Sequence, residues 1–229
     1  DEAVADVPSK GNQEGIFGFG NNNPGVTGVT NLVSNAGVVA TDVTAVGTAR
    51  EAPAGCEYGE DKGIFAYGYT TSNVSMSNLV SNAGVVATDV TGVGTGRRVM
   101  AACSYGEDKG IFGYGLISTS PGTAVTNLVS NAGVVATDVT GVGTARYLLA
   151  ACEYGGDKGI FGFGTTGTRT AVTNLVSNVG VVATDTTGVG TARNGVGACS
   201  YGDDKGIFGY GYDGGYVSMS NLVSNAGVV

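Results

Sequence analysis

The chain of 229 residues contains no histidine. That absence removes Ser-His-Asp and Cys-His nucleophilic sites, histidine metal sites and the usual general base near neutral pH. Basic residues are scarce as well: 11 Lys and Arg stand against 19 Asp and Glu, for a formal net charge of −8. Such a surface repels phosphate backbones and offers no basic stripe, so nucleic acid is not an expected partner. No apolar run approaches 18 residues, and membrane insertion is not expected either. The first ten residues, Asp1 to Lys10, show neither the basic start nor the apolar centre of an export signal, which leaves the compartment open. Cysteine is limited to Cys56, Cys103, Cys152 and Cys199, spread singly where a disulfide framework would cluster them.

Glycine, by contrast, is abundant at 42 residues, without the three-residue period of collagen, so it is expected in turns and close sheet contacts. The segment GIFGFG at Gly15 returns at Gly63, Gly110, Gly159 and Gly206, in steps of 48, 47, 49 and 47. NLVSN recurs five times, from Asn31, Asn78, Asn127, Asn174 and Asn221, and the cysteines keep the same step. A fixed period near 47 demands a repeat architecture. Within residues 97 to 143 four short strands are predicted, Val99 to Tyr105, Gly110 to Gly115, Thr126 to Ser130 and Val134 to Thr140, with no helical period.

Four strands per unit of this size predict one closed domain over residues 1–229. The expected fold is an all-β, five-bladed β-propeller with four antiparallel strands per blade, in approximate repeats 3–46, 49–93, 96–142, 145–191 and 194–229. Pro8 aligns with the cysteine position, so residues 3 to 9 are expected to complete the ring, while the last copy lacks the body of its fourth strand. That unfinished edge, or a uniform rim, is the expected contact of a homo-oligomer or larger assembly. Phe65 and Tyr67 are predicted on one strand face and Ile64, Ala66 and Gly68 on the other. Leucine at Gly113 or Gly209 should then overpack the ring.

The run from Arg146 to Gly164, RYLLAACEYGGDKGIFGFG, resembles the kelch repeat, with a Gly-aromatic-Gly in place of the glycine doublet and no tryptophan after it. The resemblance implies the propeller fold and no particular function. The near-verbatim copying of GVVATDVTGVGTAR is similar to tandem-repeat proteins of environmental bacteriophages, which implies a virion or extracellular surface component. Five units of 47 residues also resemble, in number and size alone, an invertebrate class of propeller lectins.

Asp42, Asp89, Asp138 and Asp185 each precede an arginine by eight residues, Arg50, Arg97, Arg146 and Arg193. An active site needs one asymmetric cluster, so these are expected to be structural, as an ion pair or hydrogen-bonded latch in every blade. The turns carrying Glu-Asp-Lys, Gly-Asp-Lys or Asp-Asp-Lys lack the spaced oxygens of a calcium loop. The cysteines are expected as small core residues; facing a central channel, they would instead make a soft-metal site. No metal, cofactor or catalytic residue is expected.

Where copies differ is informative. Residues 21–29, 69–75, 116–124, 165–171 and 212–217 share almost nothing, and neither do 51–54, 98–100, 147–149 and 194–196. Antiparallel connectivity sends both sets to one rim, opposite the uniform acidic and SNAG turns. This rim, with Asn22, Tyr69, Asn73, Arg98, Ile117, Tyr147, Arg169, Tyr212 and Tyr216, is the predicted binding surface for a protein or glycan. The chain reads as a non-catalytic interaction scaffold, with a carbohydrate-binding propeller as the alternative.

Overall fold

The structure is a computed structural model, and it describes residues 13–118 and 120–229. Every element among these residues is a β-strand. The first sheet pairs β1 (Gly15–Asn21) with β2 (Val26–Val33). The second holds β3 (Ala54–Tyr58), β4 (Lys62–Ala66) and β5 (Ser77–Val80), and the third β6 (Ala101–Tyr105), β7 (Lys109–Gly113) and β8 (Thr126–Val129). The fourth holds β9 (Ala150–Tyr154), β10 (Lys158–Gly162) and β11 (Thr173–Val176), and the fifth β12 (Gly197–Tyr201), β13 (Lys205–Gly209) and β14 (Ser220–Val223). Each three-stranded sheet is antiparallel in chain order.

The hairpin inside each sheet follows from its turn residues. Gly59 and Glu60 both take positive φ, 58° and 69°, and the same pair of left-handed residues recurs at Gly106 and Glu107, Gly155 and Gly156, and Gly202 and Asp203. Glycine at the first position adopts this without strain.

Sheets of three strands replace the expected four. The fourth segment does run beside the third strand, but only through isolated bridges such as Val80 to Val86 and Ser77 to Val90, whose registers differ by one residue. The slip arises where the Asn78 amide donates to the Ala87 carbonyl and the Asp89 carboxylate, a side chain taking a place in the backbone ladder.

The cores lie between sheets. One joins Cys103, Ile111 and Tyr114 of the third sheet to Leu149, Phe161 and Val176 of the fourth, and similar clusters bridge the second to the third and the fourth to the fifth. A phenylalanine of each sheet fits against a small residue of the sheet before: Phe65 on Gly18, Phe161 on Gly113, Phe208 on Gly162, with Phe112 and Ala66 sharing a cluster. The neighbouring Tyr67, Tyr114 and Phe163 face the other way, edge-on to the next sheet's Phe112, Phe161 and Phe208 at 5.2 to 5.5 Å. Phe65 and Tyr67 therefore do not share a face; Tyr67 sits at φ 64°, where strand alternation has ended.

The ring is not closed. The five sheets form an open stack, each touching its neighbours, and the faces that closure would join remain apart. Phe17 is 64% exposed where Phe112, Phe161 and Phe208 are fully buried. A Cβ placed on Gly209 meets nothing within 4 Å, whereas one on Gly113 would stand 2.6 Å from the Phe161 ring. Face-to-face burial accounts for the 47-residue period in a stack as well as in a circle, because closure depends on the angle between neighbours and not on what covers what. The expected closing strand at residues 3 to 9 lies outside the described residues, and no helix among those described is long and apolar enough to cross a membrane.

Candidate functional site

The two variable sets do meet on one edge of the stack, because their position depends on strand connectivity and not on ring closure. Glu51 bridges Tyr69, which bridges Asn73; Arg98 bridges Leu116; Tyr147 bridges Thr165, which bridges Arg169; Asn194 bridges Tyr212, which bridges Tyr216. In the first repeat the Asn21 amide donates to Glu51 at 2.7 Å, which brings the exposed Asn22 loop to the same edge. The result is a ridge of small bridged loops running along the stack.

Side chains on the ridge cross from one repeat to the next. The Arg98 guanidinium lies over the Tyr69 ring at 4.2 Å, and Arg169 over Tyr212 at 4.6 Å, both cation–π pairs. The Asn73 amide donates to the Leu116 carbonyl at 3.1 Å and also to that of Ile117. Tyr212 and Tyr216 meet edge-to-face at 5.5 Å, leaving Tyr216 95% exposed. Tyr147, Leu148, Thr165, Arg169 and Asn194 line a shallow depression of about 390 Å³. Ile117 projects into solvent. Not all of the variable segment is surface: Met100, Leu149 and Val196 are buried and fill the junctions beneath.

A backbone ladder holds the ridge together. The Val99 N–H donates to Ala52 O, Leu148 N–H to Val99 O and Gly195 N–H to Leu148 O, linking successive repeats along the stack. All four residues have positive φ, between 47° and 61°. This ladder was not legible in sequence, since only Gly195 carries the glycine that advertises such a conformation.

The opposite edge is uniform. Each acidic turn pairs its lysine with the preceding aspartate, Lys62 with Asp61 at 2.9 Å and likewise Lys109, Lys158 and Lys205. The SNAG-type turn closes on the same carboxylate, through Asn82 to Asp61, Asn131 to Asp108 and Asn178 to Asp157. An ammonium group thus stands where a cation would bind.

The repeated aspartates make a latch in each of three repeats, but not with the arginine eight residues after them. Asp89 accepts hydrogen bonds from the N–H and hydroxyl of Thr48, in the segment that leads into its repeat, at 3.0 and 2.6 Å, and Asp138 and Asp185 hold Thr95 and Thr144 in the same way. The arginine whose charge each aspartate feels is the one that opens its own repeat, Arg50 for Asp89, Arg97 for Asp138 and Arg146 for Asp185. Asp42 instead accepts from Asn31 within its own sheet.

The arginines themselves are fully buried. Arg97 donates to the Tyr114 and Thr95 carbonyls and to Asn127 Oδ1, at 2.8, 3.1 and 2.6 Å, with its guanidinium 4.2 Å above the Tyr67 ring. Arg50, Arg146 and Arg193 lie over Phe19, Tyr114 and Phe163 in the same posture. Burial pulls the Arg50 guanidinium down to about 10, which still leaves it charged at neutral pH.

Acid is expected to loosen these junctions. Desolvation is the largest influence on Asp138 and disfavours its charge, yet the hydrogen bonds from Thr95 and Asn127 with the field of Arg97 outweigh it, and the carboxyl is held below its usual range. A folded-state value below the unfolded one, about 4, gives stability that is complete above that pH and lost as pH falls through the folded value. The melting temperature followed by circular dichroism should hold level down to about pH 4 and drop below it. Asp138→Asn should start lower and drop less; a wild-type melting temperature unchanged at pH 2 would contradict the latch.

Cys103 and Cys152 are buried as small core residues, and Cys56 is partly buried. Burial first of all pushes the thiols of Cys56 and Cys152 up to about 12, so both are neutral. Each sulfur meets a backbone N–H of the next sheet, Ile111 for Cys56, Ile160 for Cys103 and Ile207 for Cys152. Cys199, with no sheet beyond it, is exposed. The strands that carry the cysteines, β3, β6, β9 and β12, lie side by side, and all four cysteines line one shallow depression of about 210 Å³ along them. Among the described residues no three acidic or sulfur ligands gather for a metal. Comparison of the sequence with protein-family models and with curated proteins finds no match.

Proposed function

We propose that the chain is a non-catalytic interaction scaffold, a virion or extracellular surface component that presents a variable ridge to its partner and joins an assembly. The observation that carries this reading is the gathering of residues that differ between repeats onto one edge, over sheets and latches that are copied almost unchanged. A uniform frame fixes where each loop stands and leaves its chemistry free. The ridge offers tyrosine rings flanked by arginine and asparagine, a mixture of flat apolar area and hydrogen-bond donors that suits a protein or glycan surface.

Carbohydrate binding is the second reading, and Tyr216 favours it: a ring 95% exposed beside Tyr212 and Arg169 is a platform on which a sugar face stacks. A glycan array and a display library of protein ligands, both probed with the labelled chain, separate the two. Tyr212→Ala with Tyr216→Ala and Arg169→Ala should weaken any ligand by about tenfold or more while leaving the melting temperature nearly unchanged. A ligand that binds this variant and a second one, Arg98→Ala with Tyr147→Ala, as tightly as the wild type would remove the ridge from consideration.

A further inference from the structure

The two ends of the stack are complementary halves of the junction that already repeats inside it. On the face of the fifth sheet that points away from the fourth, Cys199 and Tyr201 of β12, Tyr210 beyond β13 and Leu222 of β14 are exposed. Their counterparts Cys103, Tyr105 and Tyr114 are buried by the fourth sheet. On the outward face of the first sheet Phe17 is exposed, and a Cβ on Gly37 would meet nothing.

Inside the stack these same positions touch. Phe161 lies on Gly113 and edge-on to Tyr114; Cys103 Sγ lies against Gly159; Tyr105 and Leu128 lie against Gly180; Gly106 approaches the Asn178 carbonyl. Shifted to the ends, each contact has its two halves present and apart: Phe17 with Gly209 and Tyr210, Gly15 with Cys199, Gly37 with Tyr201 and Leu222, Asn35 with Gly202. Gly202 and Gly209 have nothing within 4 Å of a Cβ. The fifth sheet presents outward the kinds of side chain that the interior sheets bury.

We propose that these faces bind each other between copies of the chain, the fifth sheet of one stacking head-to-tail on the first sheet of the next with Phe17 seated on Gly209. The inference rests on the scaffold reading for the existence of an assembly contact, and it names the faces and the partner. A heterologous contact of this kind leaves a free end after every addition, so the product is a linear series of stacks.

Sedimentation velocity over a range of concentrations should show a growing series of oligomers. Phe17→Asp and Gly209→Leu alter opposite ends at sites with open space, so each variant should melt like the wild type yet stay monomeric. Mixed together, they retain one intact pair of faces and should stop at a dimer. Gly15→Cys should form a disulfide with Cys199 of a second copy under mild oxidation, giving a ladder on a non-reducing gel that Cys199→Ser abolishes. A wild type that stays monomeric at every concentration overturns the proposal. So does a disulfide formed within one chain, which would mean that the ends meet in a ring. Oligomers that persist in Phe17→Asp but not in Gly209→Leu mean that like faces pair, and overturn it too. Ridge variants that lose a ligand and keep the oligomers test the scaffold reading separately.

Discussion

Gly113→Leu is expected to lower the stability of the stack by about 3 kcal/mol or more, and Gly209→Leu in a dilute monomer by close to nothing. The residues are equivalent in sequence, each the second glycine of KGIFGYG. They differ in what stands opposite. A first side-chain carbon on Gly113 would fall 2.6 to 3.1 Å from three atoms of the Phe161 ring, and that ring is fully buried and fixed edge-on against Tyr114. It has nowhere to yield, so the third and fourth sheets must part. Paired denaturation curves in urea measure the contrast. Equal losses at both sites would mean that Gly209 is covered after all, and equal tolerance would mean that the sheets are not in close contact.

The second large effect is expected at Arg97. Arg97→Met keeps most of the apolar length but leaves the Tyr114 carbonyl, the Thr95 carbonyl and Asn127 Oδ1 without their donor in a buried site. Each buried acceptor left without its donor costs about 1–3 kcal/mol. The net figure here also includes the lost stacking of the guanidinium on Tyr67. Arg97→Lys should restore little, since one ammonium cannot reproduce three donors in a planar fork together with a face for the ring. The shift in urea midpoint checks both substitutions; a lysine variant as stable as the wild type would show that charge alone is needed at this position.

Much of this molecule is written in its period. The 47-residue copying and the glycine-led turns gave the hairpins, and antiparallel connectivity placed the variable loops on one edge and the acidic turns on the other. Other features were hidden by the repetition itself. Asp89 lies eight residues before Arg97 and thirty-nine after Arg50, and the two intervals together make one period of 47. In a chain of near-identical units a pairing within a repeat and one between repeats therefore look alike, and only the coordinates show that Asp89 sits near Arg50.

The side taken by Tyr67 was hidden for a local reason, a left-handed residue that breaks strand alternation without being glycine. Ring or stack was hidden for a global one. The same Gly–Phe contact serves both, and the choice between them is the sum of small rotations that no short motif encodes.

An open row of sheets imposes no closing condition on how many there are. A ring of five must redistribute its angles when a member is gained or lost, whereas here the chain meets the same junction on either side of an added cassette. Unequal exchange between near-identical coding segments can then lengthen or shorten the protein by whole units, each arriving with its own loops, and every product inherits working seams.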